Sequence, residues 1–385
     1  MDPARTVKTL SNIARMDADC DAVRTVLQGI RESEWLELVE AAAVHRIAPL
    51  LFSRISELNL QTNIPVNALK SLEHQARATG ALNTLLLSEH ERILRTSAQR
   101  GVTLLPLKGA HLITCGVYRA DQRPMTDLDY AAQNQHIEGI CAMLTDLGYH
   151  EEKSPNLSKE FTKKYAREYH YTRMLGGVPV VVEVHDVLIP HMALRRAFPL
   201  SAKRLVQRAH TDADGAPTLL PEHALLFCIL HFAVVHRFSR LIWLADIDHM
   251  CRFFELNWDF FEHETRSVQA EAAVYAVLRA ASNLFGTAAP AQQFAYARGL
   301  SRKIIDRRAP LWLAGTAPAP EISAVPFALC RRPLRTLVRY VFPPADFMAL
   351  RYGVPATLAP AWSVARPVIL AVKSLRASQT RKMQP

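Results

Sequence analysis

Two β-rich runs separated by a pair of glycines place the strongest constraint on the fold of this 385-residue chain. The runs EYHYTRML and VPVVVEVHDVL flank Gly176-Gly177. Adjacent glycines readily adopt the positive φ angles of the tight turns that join two antiparallel strands. We therefore predict a β-hairpin at this position, in a chain whose hydrophobic pattern is otherwise mostly helical.

Helical patterns precede and follow the segment that contains this hairpin. The run from Ala68 to Arg100 has no internal proline and is rich in helix-forming Ala, Leu, Glu and Arg. A second helical stretch begins near Pro221, a residue that suits the first turn of a helix. We predict an α+β fold in four parts, which are an N-terminal helical region (1–98), an α/β core with a mixed sheet (99–215), a C-terminal helical domain (216–300) and a Pro-interrupted basic helical tail (301–385).

Three carboxylates in apolar surroundings are the candidate catalytic residues. Asp127 and Asp129 lie two apart in MTDLDYAA, which has the pattern of a buried strand, so their side chains share one face. Carboxylates that close repel each other unless a cation neutralises them, and hard oxygen ligands suit Mg²⁺ or Mn²⁺. Glu183 lies among β-branched residues of the hairpin, and we expect it at the same site. A lone D-x-D is a weak signal and a lone acid in a strand more often faces water, so only the combination favours a metal site.

The order of these motifs resembles that of the polymerase-β-like nucleotidyltransferase superfamily, and within it the uncharacterised bacterial nucleotidyltransferase family. Four segments carry the resemblance, namely LLPLKGAHLITCGVYRADQRPMTDLDYAA, VEVHDVL, HALLFCILHFAVVHRFSRLIWLADIDHM and WLELVEAAAVHRIAPLLF. They are similar to the family's Lys-Gly turn and D-x-D strand, its acid-x-His strand and its flanking helices.

The resemblance implies a nucleotidyltransferase-type core and an enzyme that moves a nucleoside monophosphate from an NTP such as ATP to an acceptor. It implies catalytic and metal-binding roles for Asp127, Asp129 and Glu183, with two Mg²⁺ or Mn²⁺ ions. Whether Glu183 is a metal ligand or a general base stays open. The implied nucleotide-binding residues are Lys108, Gly109, Arg123 and Arg240.

Two positions depart from the family pattern. Ala110 follows Gly109 where the superfamily usually has a second glycine or a serine, so a hydroxyl that often contacts a phosphate is missing. The third acid is Glu183 rather than the commoner aspartate. The first departure motivates an alternative function, a non-catalytic nucleotide- or partner-binding module.

Histidines close to these motifs are further candidates. We expect His185 and His231 to support the metal site from behind its ligands, although interhelical hydrogen bonding explains His231 equally well. His231 and His236 are five residues apart, which does not fit two zinc ligands on one helix, so we predict no zinc site. Trp243 is expected in the core.

Positive charge is concentrated at the C-terminal end. Of the formal net charge of +10, the segment from Arg331 onward contributes +9, with ten Lys or Arg and the single acid Asp346. This tail could bind RNA, an anionic membrane or an acidic partner, and a plain solvated face explains it equally well. A nucleic acid is therefore not the favoured partner. The prolines expected to interrupt the tail are Pro343, Pro344, Pro355, Pro360 and Pro367.

The remaining composition bears on location and acceptor. The six cysteines show no CxxC spacing, and no apolar stretch is long enough to cross a membrane. We expect a soluble cytoplasmic protein without a transmembrane segment, and we favour a small molecule or a peptide as the acceptor. A toxin-like modifier of tRNA or protein is the third alternative, which the basic tail would favour.

Overall fold

The computed structural model describes residues 1–152, 158–212, 215–294, 325–355 and 357–382. Its first part is helical, and the side chains of Asp2 and Asp19 cap the first two helices by accepting backbone N–H bonds. The long helix predicted from Ala68 to Arg100 is confirmed. The N-terminal helices are α1 (Pro3–Ala14), α2 (Cys20–Gln28), α3 (Trp35–Val44), α4 (Ala48–Glu57) and α5 (Val66–Gln99).

A five-stranded sheet follows α5. Its strands, in chain order, are β1 (Leu105–Pro106), β2 (Asp127–Ala131), β3 (His150–Glu151), β4 (Glu168–Leu175) and β5 (Val178–His185). The strands lie in the order β1-β2-β5-β4-β3, with β2 and β5 parallel and the other neighbouring pairs antiparallel. The predicted hairpin is confirmed, because β4 pairs with β5 around Gly176-Gly177, both of which have positive φ.

Alternation along the central strands separates an apolar face from a polar face. Leu128, Tyr130 and Val182 are fully buried against α5 and against α7 (Ile137–Asp146). Asp129 and Glu183 alternate with them and therefore point to the opposite face of the sheet. Helices predominate among the described residues, and together with the mixed sheet this agrees with the predicted α+β class.

The helices before and after the sheet share one hydrophobic core. Leu10 of α1 and Leu51 of α4 belong to the same buried cluster as Ile247 of α12 (Leu241–Phe253) and Val277 of α14 (Glu271–Phe285). The predicted division at residues 98, 215 and 300 stays a prediction. The elements of the second half are α6 (Lys108–Thr114) after β1, then α8 (Lys159–Phe161), α9 (Met192–Ala197), α10 (Ala202–Gln207), β6 (His210–Thr211), β7 (Pro217–Thr218), α11 (Pro221–Leu230), α12 (Leu241–Phe253), α13 (Trp258–Ser267) and α14 (Glu271–Phe285).

His45 joins the two groups of helices. It follows α3, its backbone carbonyl accepts the N–H of Ile242 at 3.2 Å, and its Nδ1 accepts the N–H of Leu241 at 3.3 Å. The imidazole is buried and must be unprotonated at Nδ1 to accept this bond.

The described part of the basic tail consists of α15 (Val325–Ala328), α16 (Pro333–Val341), α17 (Ala345–Tyr352) and α18 (Ala359–Lys382). Pro344 and Pro355 lie between helices as expected, but the prediction for Pro367 is wrong, because this residue lies inside α18. A proline within a helix removes one hydrogen bond and bends the helix without having to end it. The predicted tail between residues 301 and 324 lies outside the described residues.

Among the described residues, we find no helix with both the length and the apolar character needed to cross a membrane.

The buried state of His45 predicts a pH dependence of stability. Burial, aided by Arg240, lowers the pKa of His45 from 6.5 to about 4. Between these values the unfolded chain binds a proton that the folded protein does not, so the free energy of unfolding falls as pH falls through this window. In His45→Asn, whose amide oxygen accepts the Leu241 bond without titrating, we expect this loss to shrink by up to about 3 kcal/mol.

Urea unfolding at several pH values measures the effect. The matched control is His263→Asn, because His263 is an exposed histidine of the same helical layer, and this variant should follow the wild type. Identical pH dependence in His45→Asn and the wild type would contradict the prediction.

Candidate active site

The parallel pairing of β2 with β5 brings predicted carboxylates together. Asp129 lies opposite Glu183 in the register, and His185 lies two residues further along β5 on the same face. One ligand atom from each of these residues can be chosen so that all three atoms lie within 4.8 Å of one another. Two carboxylates and an imidazole therefore form a group that could hold a metal ion.

Asp129 is buried and is held by two cations. Its Oδ1 accepts hydrogen bonds from Lys108 Nζ at 2.7 Å and from His185 Nε2 at 2.9 Å. Burial alone would raise the pKa of Asp129, but Lys108 and His185 outweigh burial and hold this pKa below its ordinary value. Burial likewise opposes the charge of His185, yet hydrogen bonds to Asp129 and Glu168 raise its pKa to about 9. At neutral pH Asp129 is therefore ionised and His185 is protonated.

Asp127 lines the same cavity but is not one of the three residues grouped within 4.8 Å. Burial and the charge of Asp129 raise its pKa to about 6, against the opposing effect of Lys108. This is the repulsion expected between carboxylates on one face of a strand, and a bound cation would relieve it. Metal binding by Asp127, Asp129 and Glu183 stays a prediction.

Strand β4 adds two residues that the sequence analysis missed. The hairpin register places His170 opposite Glu183 and Glu168 opposite His185. His170 Nδ1 lies 3.2 Å from Glu183 Oε1, and His185 Nδ1 lies 3.4 Å from Glu168 Oε1. Hydrogen bonding to Glu183 raises the pKa of His170, against its partial burial. The sequence could have predicted both pairs, because the two-residue turn at Gly176-Gly177 fixes which residues of β4 and β5 lie opposite each other.

The predicted Lys-Gly turn lies at the start of α6 and faces the carboxylates. Lys108 has a φ of +50°, a left-handed conformation that is uncommon for a residue with a side chain. Gly109 is required for a different reason. A Cβ at this position would lie 2.3 Å from Arg123 Nη1 and 2.7 Å from Met125 Cγ. The missing side chain allows Arg123 to pack directly against the turn.

Arg123 is buried and is paired with the helical layer. Its Nε and Nη2 donate to the two carboxylate oxygens of Asp246 on α12, at 3.1 and 2.8 Å. Its Nη1 donates to the backbone oxygen of Pro124 at 3.3 Å. Arg123 also lines the cavity. Its expected contact with a nucleotide stays a prediction, as does that of Lys108.

A cavity of about 1020 Å³ separates this face of the sheet from the helices. Small-ligand cavities commonly occupy about 300–1,000 Å³, so this one has room for a nucleotide and part of a second substrate. Its helical wall carries Arg46, Arg240, His231, His236 and Trp243.

The aromatic residues of this wall contact one another, with His236 stacked on Trp243 and His231 edge-on to His236. The rings of His236 and Trp243 lie 3.5 Å apart, and those of His231 and His236 lie 4.2 Å apart. Burial, with Lys108 nearby, lowers the pKa of both histidines, to about 3 for His236. Both rings are therefore neutral. Trp243, which we expected in the core, packs against it but is half-buried and also lines the cavity. The supporting role expected of His231 stays a prediction.

Two arginines, Arg46 and Arg240, line the helical wall of the cavity. Within the described residues, neither Arg46 nor Arg240 forms an ion pair with a carboxylate. Burial, Arg240 and Arg123 all lower the pKa of Arg46, so these cations repel one another. Arg240 was expected near the nucleotide from its sequence. Arg46 was missed, because an arginine at the end of a helix has no local pattern that sets it apart from a surface arginine.

Comparison with protein families shows which family the chain belongs to. A profile of the family described as uncharacterised nucleotidyltransferase matches residues 31–286. The chain belongs to this family. The matched range contains both central strands, the Lys108-Gly109 turn and the two unpaired arginines, and membership supports a nucleotidyl transfer function. No curated protein and no solved structure matches the chain.

The close approach of Arg123 to Gly109 generates a prediction for this nucleotidyltransferase family member. Gly109→Ala should lower the free energy of unfolding by about 1–3 kcal/mol, because the new methyl group overlaps Arg123 and Met125 and forces them to move. Chemical denaturation measures the change.

Gly139→Ala in α7 is the matched control. A Cβ at Gly139 would meet only Val102 Cγ1, at 4.0 Å, so alanine should stabilise the helix by up to about 1 kcal/mol. If both alanine variants are as stable as the wild type, Gly109 is not required by packing.

Proposed function

We propose that the protein is a metal-dependent nucleotidyltransferase that moves a nucleoside monophosphate from an NTP to a small-molecule or peptide acceptor. The observation that carries the proposal is the pairing of Asp129 with Glu183 on one wall of a cavity whose other wall holds Arg46 and Arg240. Carboxylates suit divalent cations, and unpaired arginines suit phosphates. We further propose that the sheet is a core of the polymerase-β-like superfamily in its bacterial branch.

The donor set of the carboxylate wall fits Mg²⁺ or Mn²⁺. Asp127, Asp129 and Glu183 offer hard oxygen ligands, and burial together with the charge of Asp129 raises the pKa of Asp127. Two ions bound there, as in the superfamily, would offset triphosphate charge and lower the pKa of an acceptor hydroxyl. His185 hydrogen-bonds Asp129 and Glu168, and thereby orients the first of these carboxylates.

The proposed reaction is a displacement at the α-phosphorus. An acceptor oxygen forms a bond to this phosphorus, the bond from it to the bridging oxygen of the β-phosphate breaks, and pyrophosphate leaves. The acceptor proton passes to solvent or to Glu183, which His170 holds by a hydrogen bond. Glu183 as ligand and Glu183 as general base are two versions of this proposal.

The arginine wall would receive the triphosphate. Arg46 and Arg240 have donors that no carboxylate of the described residues occupies, and Lys108 lines the same cavity. Arg123 has most of its donors committed to Asp246 and Pro124, so we assign it a positioning role that fixes the turn at Gly109. A charge-assisted hydrogen bond to phosphate is stronger than one between neutral groups.

The size and surroundings of the cavity favour a compact acceptor. The cavity lies between the sheet and a layer of packed helices, which leaves space beside an NTP for a small molecule or a peptide side chain. Since the reaction consumes an NTP, we propose that it takes place in the cytoplasm, where these nucleotides are supplied.

Neutralising the carboxylates tests the catalytic site. Asp127→Asn, Asp129→Asn and Glu183→Gln should each lower nucleotidyl transfer at least about a hundredfold, the order found when a group that stabilises transition-state charge is removed. Transfer is measured as movement of label from each α-labelled NTP, with Mg²⁺ or Mn²⁺, to a metabolite and peptide extract. Mn²⁺ binding measured by electron paramagnetic resonance should weaken in Glu183→Gln if Glu183 is a ligand and persist if it is a base.

Glu91→Gln on α5 is the control, because Glu91 is exposed and forms an ion pair with Arg95. This variant should transfer label at the wild-type rate. Undiminished transfer by Asp129→Asn would refute the assignment, and NTP binding without any transfer by the wild type would favour the binding-module alternative.

The arginine wall generates a separate prediction about substrate binding. Arg46→Ala and Arg240→Ala should each raise the KM for the NTP about tenfold or more, with a smaller change in kcat, because each removes a charged hydrogen bond to phosphate. The control is Arg77→Ala, an exposed arginine of α5 that pairs with Glu73. A KM for Arg46→Ala equal to that of the control would contradict the prediction.

A further inference from the structure

Helix α16 turns its apolar side away from the protein. Leu334, Leu337 and Val338 of the helix, with Phe342 directly after its last turn, recur at helical spacing and are 76%, 37%, 57% and 47% exposed. The opposite side of the helix, at Thr336, is buried. A surface helix normally faces its apolar stripe inward, so the reversed orientation indicates that this stripe meets something outside the chain. We call these four residues the α16 stripe.

Arginines without carboxylate partners flank the α16 stripe. Arg332, Arg335 and Arg339 follow one edge of the helix, and Arg196 of α9 lies close enough to join their mutual repulsion. Within the described ranges, none of these four arginines forms an ion pair. The tail's single acid, Asp346, already contacts Lys164 and Tyr165. The positive charge beside the stripe is thus available to an outside partner.

Contacts on the inner side hold α16 in this orientation. Tyr340 stacks on His191 with ring centroids 4.1 Å apart, and Arg366 of α18 lies 5.7 Å from the Tyr340 ring. Arg331, just before α16, pairs with Glu271 of α14. The stripe therefore faces outward because the other side of the helix is fastened to the body of the protein.

We propose that α16 docks the protein on an anionic lipid surface, with the α16 stripe in the interface and the four arginines against the headgroups. An apolar face beside arginines is the arrangement of helices that lie in a membrane interface. Exposed Trp362, Val364 and Val368 on the neighbouring helix α18 add apolar surface to the same tail.

Charge and chemistry favour lipid over other occupants. A second copy would bring two clusters of four arginines together, which repel. A nucleic acid would engage the arginines but gain little from Leu334, Leu337 and Val338, since aliphatic side chains do not stack on bases. An anionic lipid surface, which is both charged and apolar, uses every part of the arrangement.

Vesicle flotation of the full chain tests the proposal. The protein should bind vesicles of phosphatidylcholine with about one third phosphatidylserine, and not phosphatidylcholine alone, and salt should weaken the binding. Leu334→Ser with Val338→Ser, and separately Arg335→Gln with Arg339→Gln, should each lower the partition coefficient at least about tenfold.

Matched controls come from residues of similar exposure elsewhere. Leu36→Ser on α3 and Arg77→Gln on α5 remove an exposed leucine and an exposed arginine and should bind like the wild type. Circular dichroism checks the folding of each variant. The wild-type comparison between the two vesicle types decides the proposal even where a variant fails to fold.

Three outcomes would overturn the proposal. The first is equal or absent binding of the wild type to both vesicle types. The second is binding to single-stranded RNA without vesicle binding, unaffected by Leu334→Ser with Val338→Ser. The third is a dimer in light scattering that these serine substitutions convert to a monomer, again without vesicle binding. Nucleotidyl transfer is not a readout here, so this proposal stands or falls apart from the proposed function.

Discussion

The parallel pairing of β2 with β5 is the contact on which the site depends. Its register sets Asp129 opposite Glu183 and so concentrates negative charge on one buried face of the sheet. Burying an unpaired carboxylate costs several kcal/mol, and Lys108 and His185 offset that cost by binding the same oxygen of Asp129. Lys108 of the turn and His185 at the end of β5 therefore serve the fold as well as the proposed chemistry, because they are the cations that allow these acids to be buried.

The helices on either side of the sheet complete the cavity as one layer. His45 hydrogen-bonds the start of α12, and the same helix holds Arg123 through Asp246, so the helical wall is fastened to the turn that faces the carboxylates. Arg46, the next residue after His45, reaches the cavity because of this attachment. The family match begins at residue 31, which places α3 and Arg46 within the family's shared region.

Local patterns predicted the hairpin and the shared face of the acids, because a turn and a strand period are short-range properties. Counting outward from Gly176-Gly177 pairs Leu175 with Val178 and then His170 with Glu183, so even the second histidine was within reach of the sequence. The pairing of β2 with β5 was not, because no turn connects these strands. The reason for Gly109 was equally hidden, since it depends on Arg123 packing from a distant part of the chain.

The carboxylates of the sheet and the arginines of α16 show how burial decides whether like charges must be neutralised. The carboxylates are buried, so their repulsion is large, and the chain carries its own cations against them. The arginines of α16 lie at the surface, where water screens their repulsion, and the chain can leave them without carboxylates at little cost. Charge balance at the first group is therefore a condition for folding. At the second, the positive charge can stay without carboxylates until a partner binds. An unbalanced surface cluster beside an exposed apolar stripe therefore indicates binding.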